Sequence, residues 1–159
     1  MGAANGYEQD AAADQDRGRS LLSGCVFCSI VARETPAFIV ASDEHTVAFL
    51  DVRPVFKGHV LVVPRQHLVT LGDLPTDLLA PYFAAVQRIS VALPVALGAQ
   101  GTWVAENNIV SQSVPHLHTH VVPRTKGDGL RGFFWPRTKY TGGEAQEYAD
   151  RIAAALGPA

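Results

Sequence analysis

The sequence predicts an α+β fold in which an antiparallel sheet of about five strands packs with one long helix and a C-terminal helix. Short β-branched and aromatic runs, separated by turn residues, indicate the strands. A longer stretch with apolar residues at three- and four-residue steps indicates the main helix. Short connections between the first strands favour an antiparallel meander. Clustered strands around one long helix are typical of α+β domains.

Each element has its own signal in the sequence. A short apolar turn or helix at 25–31 leads to Thr35-Pro36, where the proline disfavours helix at the preceding residue. The main helix is expected at about 75–97, and Pro94 is expected to kink it or end it early. A closing helix is expected at 144–156. The runs predicted as strands are 38–41, 46–50, 59–63, 102–105 and 114–123.

Length and composition limit the class of protein. A chain of 159 residues has the size of one domain. Residues 1–24 lack an apolar period and are predicted to be a disordered tail, which leaves 25–159 as the folded domain. A net charge of -2 lacks the basic excess of a nucleic-acid binder, so no nucleic-acid partner is expected.

The length of the apolar runs and the composition of the N-terminus predict the cellular location of the protein. The longest uninterrupted apolar runs, such as 60–63 and 91–97, fall far short of the ~18 residues that span a bilayer. We therefore expect no membrane span. The N-terminus lacks the basic start and apolar block of a secretory signal, so a cytoplasmic protein is expected.

Histidines are concentrated in one segment, because half of the chain's six lie within 112–124. On a strand, His116, His118 and His120 would share one face, and on an apolar strand such side chains must be paired or solvated. An exposed polar face is the simpler interpretation. A single zinc site is another, but the α-carbons of His116 and His120 would lie about 13 Å apart. Zinc needs each ligand nitrogen within about 2.1 Å, so we expect the three histidines to have separate roles.

The segment HLHTHVV at 116–122 resembles the His-x-His-x-His motif, with trailing apolar residues, of the histidine-triad (HIT) family. The resemblance covers roughly 25–124 and implies a HIT-like fold and a homodimer whose long helices and sheets pack together. The sequence departs from the family at NNIVSQ, 107–112, where the loop is shorter and lacks glycine. The other matching blocks, in the family's order, are CVFCSI at 25–30, AFLD at 48–51, KGHVLVVP at 57–64 and QSV at 112–114.

The resemblance implies a hydrolase or nucleotidyl transferase acting at a nucleotide α-phosphate. His118 matches the family nucleophile, and His116 and His120 complete the catalytic set. A neutral imidazole can attack phosphorus to form a nucleotidyl-histidine, which water then opens. His120, Ser113 and Gln112 match positions that contact the phosphate, where donors stabilise the developing charge.

The resemblance also implies a nucleoside-binding set. Asp51 matches the carboxylate that accepts hydrogen bonds from the ribose hydroxyls, although an Asp after a strand is more often a turn residue. Asn107 or its neighbour matches an asparagine near the ribose or phosphate, and we favour Asn107. The apolar positions around the base match Phe27, Ile30, Phe49 and Val52, which could equally be core residues.

Cys25 and Cys28 have the spacing of a zinc knuckle, but they supply only two ligands. In a zinc-carrying subset of the family the ligands match Cys25, Cys28, His67 and His116, which implies a closed structural zinc site. A thioredoxin-like redox pair and buried unligated thiols are the alternatives. His45 and His59 are interpreted as turn or strand-edge residues.

The segment 124–139, which follows the triad, is relevant to the choice of substrate. It contains one acidic residue, Asp128, and a local excess of positive charge that suits an anionic leaving group. The triad blocks look more like the small phosphoramidase-type members, so we predict cleavage of purine-nucleoside phosphoramidates. Dinucleoside polyphosphates are the alternative substrates, and a nucleotide-binding module without turnover or a zinc-binding structural protein are the rival functions. The basic residues are Arg124, Lys126, Arg131, Arg137 and Lys139, and the aromatic residues among them are Phe133, Phe134 and Trp135.

Overall fold

The computed structural model describes residues 24–130 and 138–156. These residues form two units, one ending at Lys126 and one beginning at Gly127. The first unit holds the sheet, the long helix and all the histidines, and the second holds the C-terminal helix. The tail predicted for 1–24 lies outside the described residues except for Gly24, as do Arg131, Phe133, Phe134, Trp135 and Arg137.

The described elements confirm the predicted α+β class. The sheet has the order β1-β2-β3-β5-β4, and every neighbouring pair is antiparallel. In chain order the elements are α1 (Val26–Val31), β1 (Ile39–Ser42), β2 (Thr46–Leu50), β3 (Val60–Pro64), a short 3-10 helix (Leu71–Asp73), α2 (Thr76–Leu97), β4 (Gly101–Glu106), β5 (Thr119–Arg124) and α3 (Glu144–Leu156).

The central strand β3 packs in a different apolar cluster on each face of the sheet. It is buried along its whole length, and its side chains alternate between two apolar clusters because successive residues of a strand face opposite ways. Val60 and Val62 pack in a cluster that includes Tyr82 of α2. Leu61 and Val63 pack in a second cluster with α1, where Phe27 and Ile30 lie.

Helix α2 runs further than the sequence suggests. The expectation that Pro94 ends it early is wrong, because the helix continues to Leu97 and ends at Gly98, whose φ of 67° is left-handed. Its inward face, with Tyr82 and Leu93, is buried against the sheet, and this packing offsets the hydrogen bond that proline removes. By length and composition alone α2 could cross a membrane, but a buried face is typical of a core helix.

The strand predicted at 114–123 begins only at Thr119, so the single-strand alternation expected for the three histidines is wrong. Pro115 has no N–H to donate to a ladder. The backbone after it is hydrogen-bonded to a segment outside the sheet, because the Leu117 N–H donates to the Leu68 carbonyl at 2.6 Å. Of the three histidines, only His120 lies on the strand. Because the backbone before the strand is irregular, His116 and His118 contact different partners. The remaining predicted strand boundaries differ by a single residue at each shifted end, which is within the usual spread.

The turn before β3 requires glycine at one position. Gly58 has φ +93°, and a Cβ there would lie 2.3 Å from Leu97 Cδ1. The positive φ therefore favours glycine here, whereas the end of the Leu97 side chain could move. The turn places the next residue, His59, just before β3, where only 2% of its surface is exposed.

Candidate functional site

A cleft of about 530 Å³ opens between α1, the end of β2 and the segment that leads into β5. Its apolar wall comes from α1 and β2, and its polar end comes from the histidine segment. The cleft brings together most of the residues predicted to bind or transform the substrate. Those that line it are Phe27, Ile30, Phe49, Asp51, Val52, Ser113, His118 and His120.

His118 has the orientation that a nucleophilic imidazole needs. Its Nδ1 lies 2.6 Å from the backbone carbonyl oxygen of His116, and a carbonyl only accepts, so Nδ1 carries the proton. The lone pair is then on Nε2, which makes no hydrogen bond to the described residues. The Phe27 ring packs edge-on against His118 with centroids 5.2 Å apart. The His116 carbonyl oxygen fixes the tautomer of His118, and the hydrogen bond and the Phe27 ring together fix its orientation.

His120 and His59 form a hydrogen-bonded pair. His59 Nε2 lies 2.9 Å from His120 Nδ1, and His59 Nδ1 accepts the Val55 backbone N–H at 3.2 Å. This second bond places the His59 proton on Nε2, which donates to His120 Nδ1. The remaining proton of His120 is then on Nε2, so a neutral His120 is a hydrogen-bond donor.

The pKa values of both imidazoles favour this neutral arrangement. Burial, with smaller contributions from the charges of His118 and His59, lowers the pKa of His120 to about 4. Burial also lowers the pKa of His59, although the Asp51 carboxylate opposes the shift. Asp51 Oδ2 lies 3.4 Å from His59 Nδ1, and its Oδ1 accepts the Arg53 backbone N–H at 2.8 Å.

His59 lies at the turn directly before β3, as the sequence suggests, but that interpretation misses its role in the site. It is buried, paired with a triad histidine and adjacent to the carboxylate predicted to bind ribose. The signal that could have found it is its position after Gly58, at the first residue before an apolar strand. A histidine there must be satisfied by a polar partner once the strand is buried.

Gln112 and Asn107 do not line the cleft. The Gln112 amide donates to the Val69 carbonyl at 2.6 Å and accepts the Ile109 N–H at 3.1 Å, so its side chain holds the loop together. Ile109 and Ser111 have φ values of 70° and 62°, left-handed values that the family's glycine would adopt more easily. Asn107 lies exposed just after β4.

The predicted zinc ligands form a second cluster. One ligand atom from each of Cys25, Cys28, His67 and His116 lies within 4.8 Å of the others. The Nδ1 of His116 is 3.4 Å from Cys25 Sγ and 3.5 Å from Cys28 Sγ, and His67 Nδ1 is 3.1 Å from Cys28 Sγ. Tetrahedral zinc with usual bond lengths separates sulfur and nitrogen ligands by about 3.5 Å.

The chemistry of the donors also fits zinc. His116 Nε2 lies 2.9 Å from the Pro64 carbonyl oxygen and donates to it, which leaves the Nδ1 lone pair directed at the thiols, as in other histidine metal ligands. Burial lowers the pKa of His116 to about 4, so the ring is neutral. Burial and the neighbouring Cys25 raise the pKa of the Cys28 thiol to about 12, which disfavours a reactive redox thiolate without metal.

Comparison with known proteins identifies the family. The HIT domain model matches residues 32–127. A HIT-like protein of Methanocaldococcus jannaschii is 41% identical over 107 residues, which cover 66% of this chain and 82% of the relative. The adenosine 5′-monophosphoramidase HNT1 of Saccharomyces cerevisiae is 33% identical over 122 residues, covering 74% of this chain and 73% of the relative.

Solved structures agree with this match. The crystal structure of a zinc-bound histidine triad family protein from Mycobacterium smegmatis superposes with a TM-score of 0.65 at 37% identity, covering 85% of this chain and 96% of the other. A HIT family member from Bacillus subtilis superposes with a TM-score of 0.70 at 32% identity, covering 86% and 99% of the two chains. The shared fold and the matched domain lead to one conclusion: this chain belongs to the HIT family of nucleotide-processing proteins.

Proposed function

We propose that this protein hydrolyses purine-nucleoside phosphoramidates at the α-phosphate through a nucleotidyl intermediate on His118. The observation that carries the proposal is the hydrogen bond from His118 Nδ1 to the His116 carbonyl oxygen, in a ring that lines the cleft. It presents an unprotonated nitrogen where a phosphate can lie. The relatives named adenosine 5′-monophosphoramidases support the choice of substrate.

The first step forms a covalent bond between His118 Nε2 and the α-phosphorus while the phosphorus–nitrogen bond breaks. The amine takes up a proton from solvent as it leaves, and the charge on the non-bridging oxygens is stabilised by hydrogen-bond donors. His120 Nε2–H is one such donor, and Ser113 is a second at the same end of the cleft. Splitting the displacement into two steps lowers each barrier.

The second step returns the free enzyme. Water attacks the same phosphorus, the bond to His118 Nε2 breaks, and a nucleoside monophosphate leaves. His118 keeps its Nδ1 proton throughout, because the His116 carbonyl oxygen stabilises the cationic ring that forms when Nε2 is bonded to phosphorus. Asp51 accepts hydrogen bonds from the ribose, and Phe27, Ile30, Phe49 and Val52 surround the base.

We propose a structural role for zinc at Cys25, Cys28, His67 and His116. When bound, zinc would cross-link the first turn of α1 to the 64–67 and 116 segments, and no catalytic step needs it. The zinc-bound relative and the fit of the donor atoms support this assignment. The free thiols also fit the reducing cytoplasm that we propose as the location.

We also propose that the protein is a homodimer that uses the outer face of α2 and the edge strand β4. Val91 and Val95 are exposed on α2, with 86% of the Val95 surface accessible. Val104 is exposed on β4, which is a sheet edge. Apolar residues grouped on one face in this way favour association.

A turnover assay with adenosine 5′-phosphoramidate tests the proposed function. We expect release of AMP and ammonia, and a mass increase of one AMP on the peptide containing His118 after rapid acid quench. Dinucleoside polyphosphates assayed in parallel test the second substrate class, which the basic segment after β5 favours. Absence of turnover with both classes would leave a nucleotide-binding module and contradict the proposal.

A further inference from the structure

A second pocket lies beside the nucleotide cleft. It has a volume of about 330 Å³ and is formed by the end of α1, the loop after it and the first strands. Ile39 and Val47 are apolar residues of its lining, and Arg33 and Arg65 are the basic residues among those described as lining it. None of the residues described as lining this pocket is acidic.

Side-chain hydrogen bonds hold the Arg65 guanidinium, whereas only the backbone of Arg33 is held. Arg65 donates from Nε to the Asp43 carbonyl and from a terminal nitrogen to Ser42 Oγ, each at 2.6 Å. These partners are neutral, so they orient the guanidinium without neutralising it. Arg33 follows α1 with φ 63°, and its backbone N–H donates to Ile30 at 3.0 Å.

Two like charges that line one pocket repel each other. Neither Arg33 nor Arg65 forms an ion pair with a carboxylate among residues 24–130 and 138–156. The arrangement is therefore complementary to a ligand with about two negative charges. A phosphate monoester has a charge of about −1.5 to −2 at pH 7, and arginine pairs with phosphate through two parallel hydrogen bonds.

We propose that this pocket binds a small organic phosphate monoester, with the phosphate between Arg33 and Arg65 and the organic part against Ile39 and Val47. The site is separate from the catalytic histidines, none of which lines it. It shares a wall with the nucleotide cleft, because Ile30, Thr35, Pro36 and Ala37 line both cavities. The bound phosphate is a ligand here and is not cleaved.

The test is a titration of the full chain with phenyl phosphate, followed by ¹H–¹⁵N NMR in the presence of saturating adenosine 5′-sulfamate. This uncharged nucleotide analogue keeps the probe out of the nucleotide cleft and has no phosphate with which to compete for the proposed pocket. We expect saturable shifts concentrated at 30–37, Ser42 and the Arg65 Nε signal. Benzoate, with one charge, is expected to bind at least fivefold more weakly.

Variants decide whether the arginines bind the probe. Arg33→Gln and Arg65→Gln should each weaken phenyl phosphate at least fivefold, whereas Arg88→Gln on α2 should not. Arg33 is exposed and its side chain has no described partner, so its variant keeps the test valid if Arg65→Gln unfolds. Shifts scattered over the surface, equal affinity for benzoate, or unchanged affinity in Arg33→Gln would overturn the proposal. The same titration without the sulfamate separates this result from a failure of nucleotide binding.

Discussion

His59 donates a hydrogen bond to His120 across 2.9 Å, between two imidazoles that burial keeps neutral. The bond fixes the His120 tautomer, so that its second N–H can face a phosphate oxygen. His59 does not line the cleft, and we therefore assign it as a positioning residue that acts through His120.

Replacing His59 should impair chemistry more than binding. We expect His59→Ala to lower kcat by about 10²-fold with little change in KM, because the His120 tautomer is released while the nucleoside contacts remain. His59→Gln, whose amide can still donate to His120, should recover part of the loss. An increase in KM with kcat unchanged would show that His59 supports binding instead.

Replacing His118 should abolish turnover and preserve nucleotide affinity. We expect His118→Ala to reduce kcat/KM by at least about 10³-fold, because the nucleophile is lost while Asp51 and the apolar wall remain. AMP affinity by calorimetry should change less than about threefold. The half-buried His45, outside the cleft, provides the control, since His45→Ala should leave both quantities unchanged. Turnover by His118→Ala within a fewfold of wild type would contradict a covalent mechanism.

Stability should fall on the acid side of neutrality. The folded pKa of His120 lies at about 4, and that of His59 is also lowered, whereas both titrate near 6.5 in the unfolded chain. The unfolded state therefore binds more protons below about pH 6.5, and the free energy of unfolding decreases from there toward about pH 4. Urea unfolding across this range measures the slope, and His120→Gln should make it shallower. An equal slope in that variant would assign the acid sensitivity to other groups.

Removing zinc should destabilise the protein while sparing the chemical steps. We expect about one zinc per chain by metal analysis, and a strong chelator should lower Tm by about 10 °C, which corresponds to a few kcal/mol. Cys28→Ser should lower the zinc content and Tm together. Substoichiometric zinc in protein purified without chelator would contradict the assignment.

Variants in the basic and aromatic segment 124–139 distinguish the two substrate classes. We expect Arg131→Ala and Trp135→Ala to lower turnover of dinucleoside polyphosphates while sparing phosphoramidates, if the segment contacts a second nucleotide. Parallel assays on both substrates measure this. Equal effects on both would indicate a structural role for the segment and remove the reason for the dinucleotide alternative.

The sequence predicts the fold well where hydrophobic period alone decides the structure. Strand β2 and helix α3 have the predicted boundaries, because their patterns are uninterrupted. The segment before β5 was mispredicted because Pro115 and the bond from Leu117 to Leu68 override a strand-like pattern. Helix α2 continues past Pro94 because its packing on the sheet outweighs the loss of the backbone hydrogen bond that proline removes.

The functional site, like the fold, could be predicted only in part from the sequence. Motif resemblance identified the residues lining the cleft and the four metal-ligand candidates, which the fold brings together. The role of the Gln112 side chain in holding its loop and the buried pairing of His59 depend on contacts between segments distant in sequence. The position of His59 before an apolar strand indicates that it needs a polar partner, but local sequence does not identify the distant residue that supplies it.

Helix α1 carries metal ligands and the base-binding wall on the same short segment. Cys25 and Cys28 flank Phe27, whose ring touches His118, and Ile30 lies less than one turn further. If zinc orders this helix, nucleotide binding and metal binding are thermodynamically linked, and the linkage is reciprocal. A bound nucleotide should then increase zinc affinity by the same factor by which zinc increases nucleotide affinity. Metal supply in the cell would thereby set substrate affinity, although the metal takes no part in the reaction.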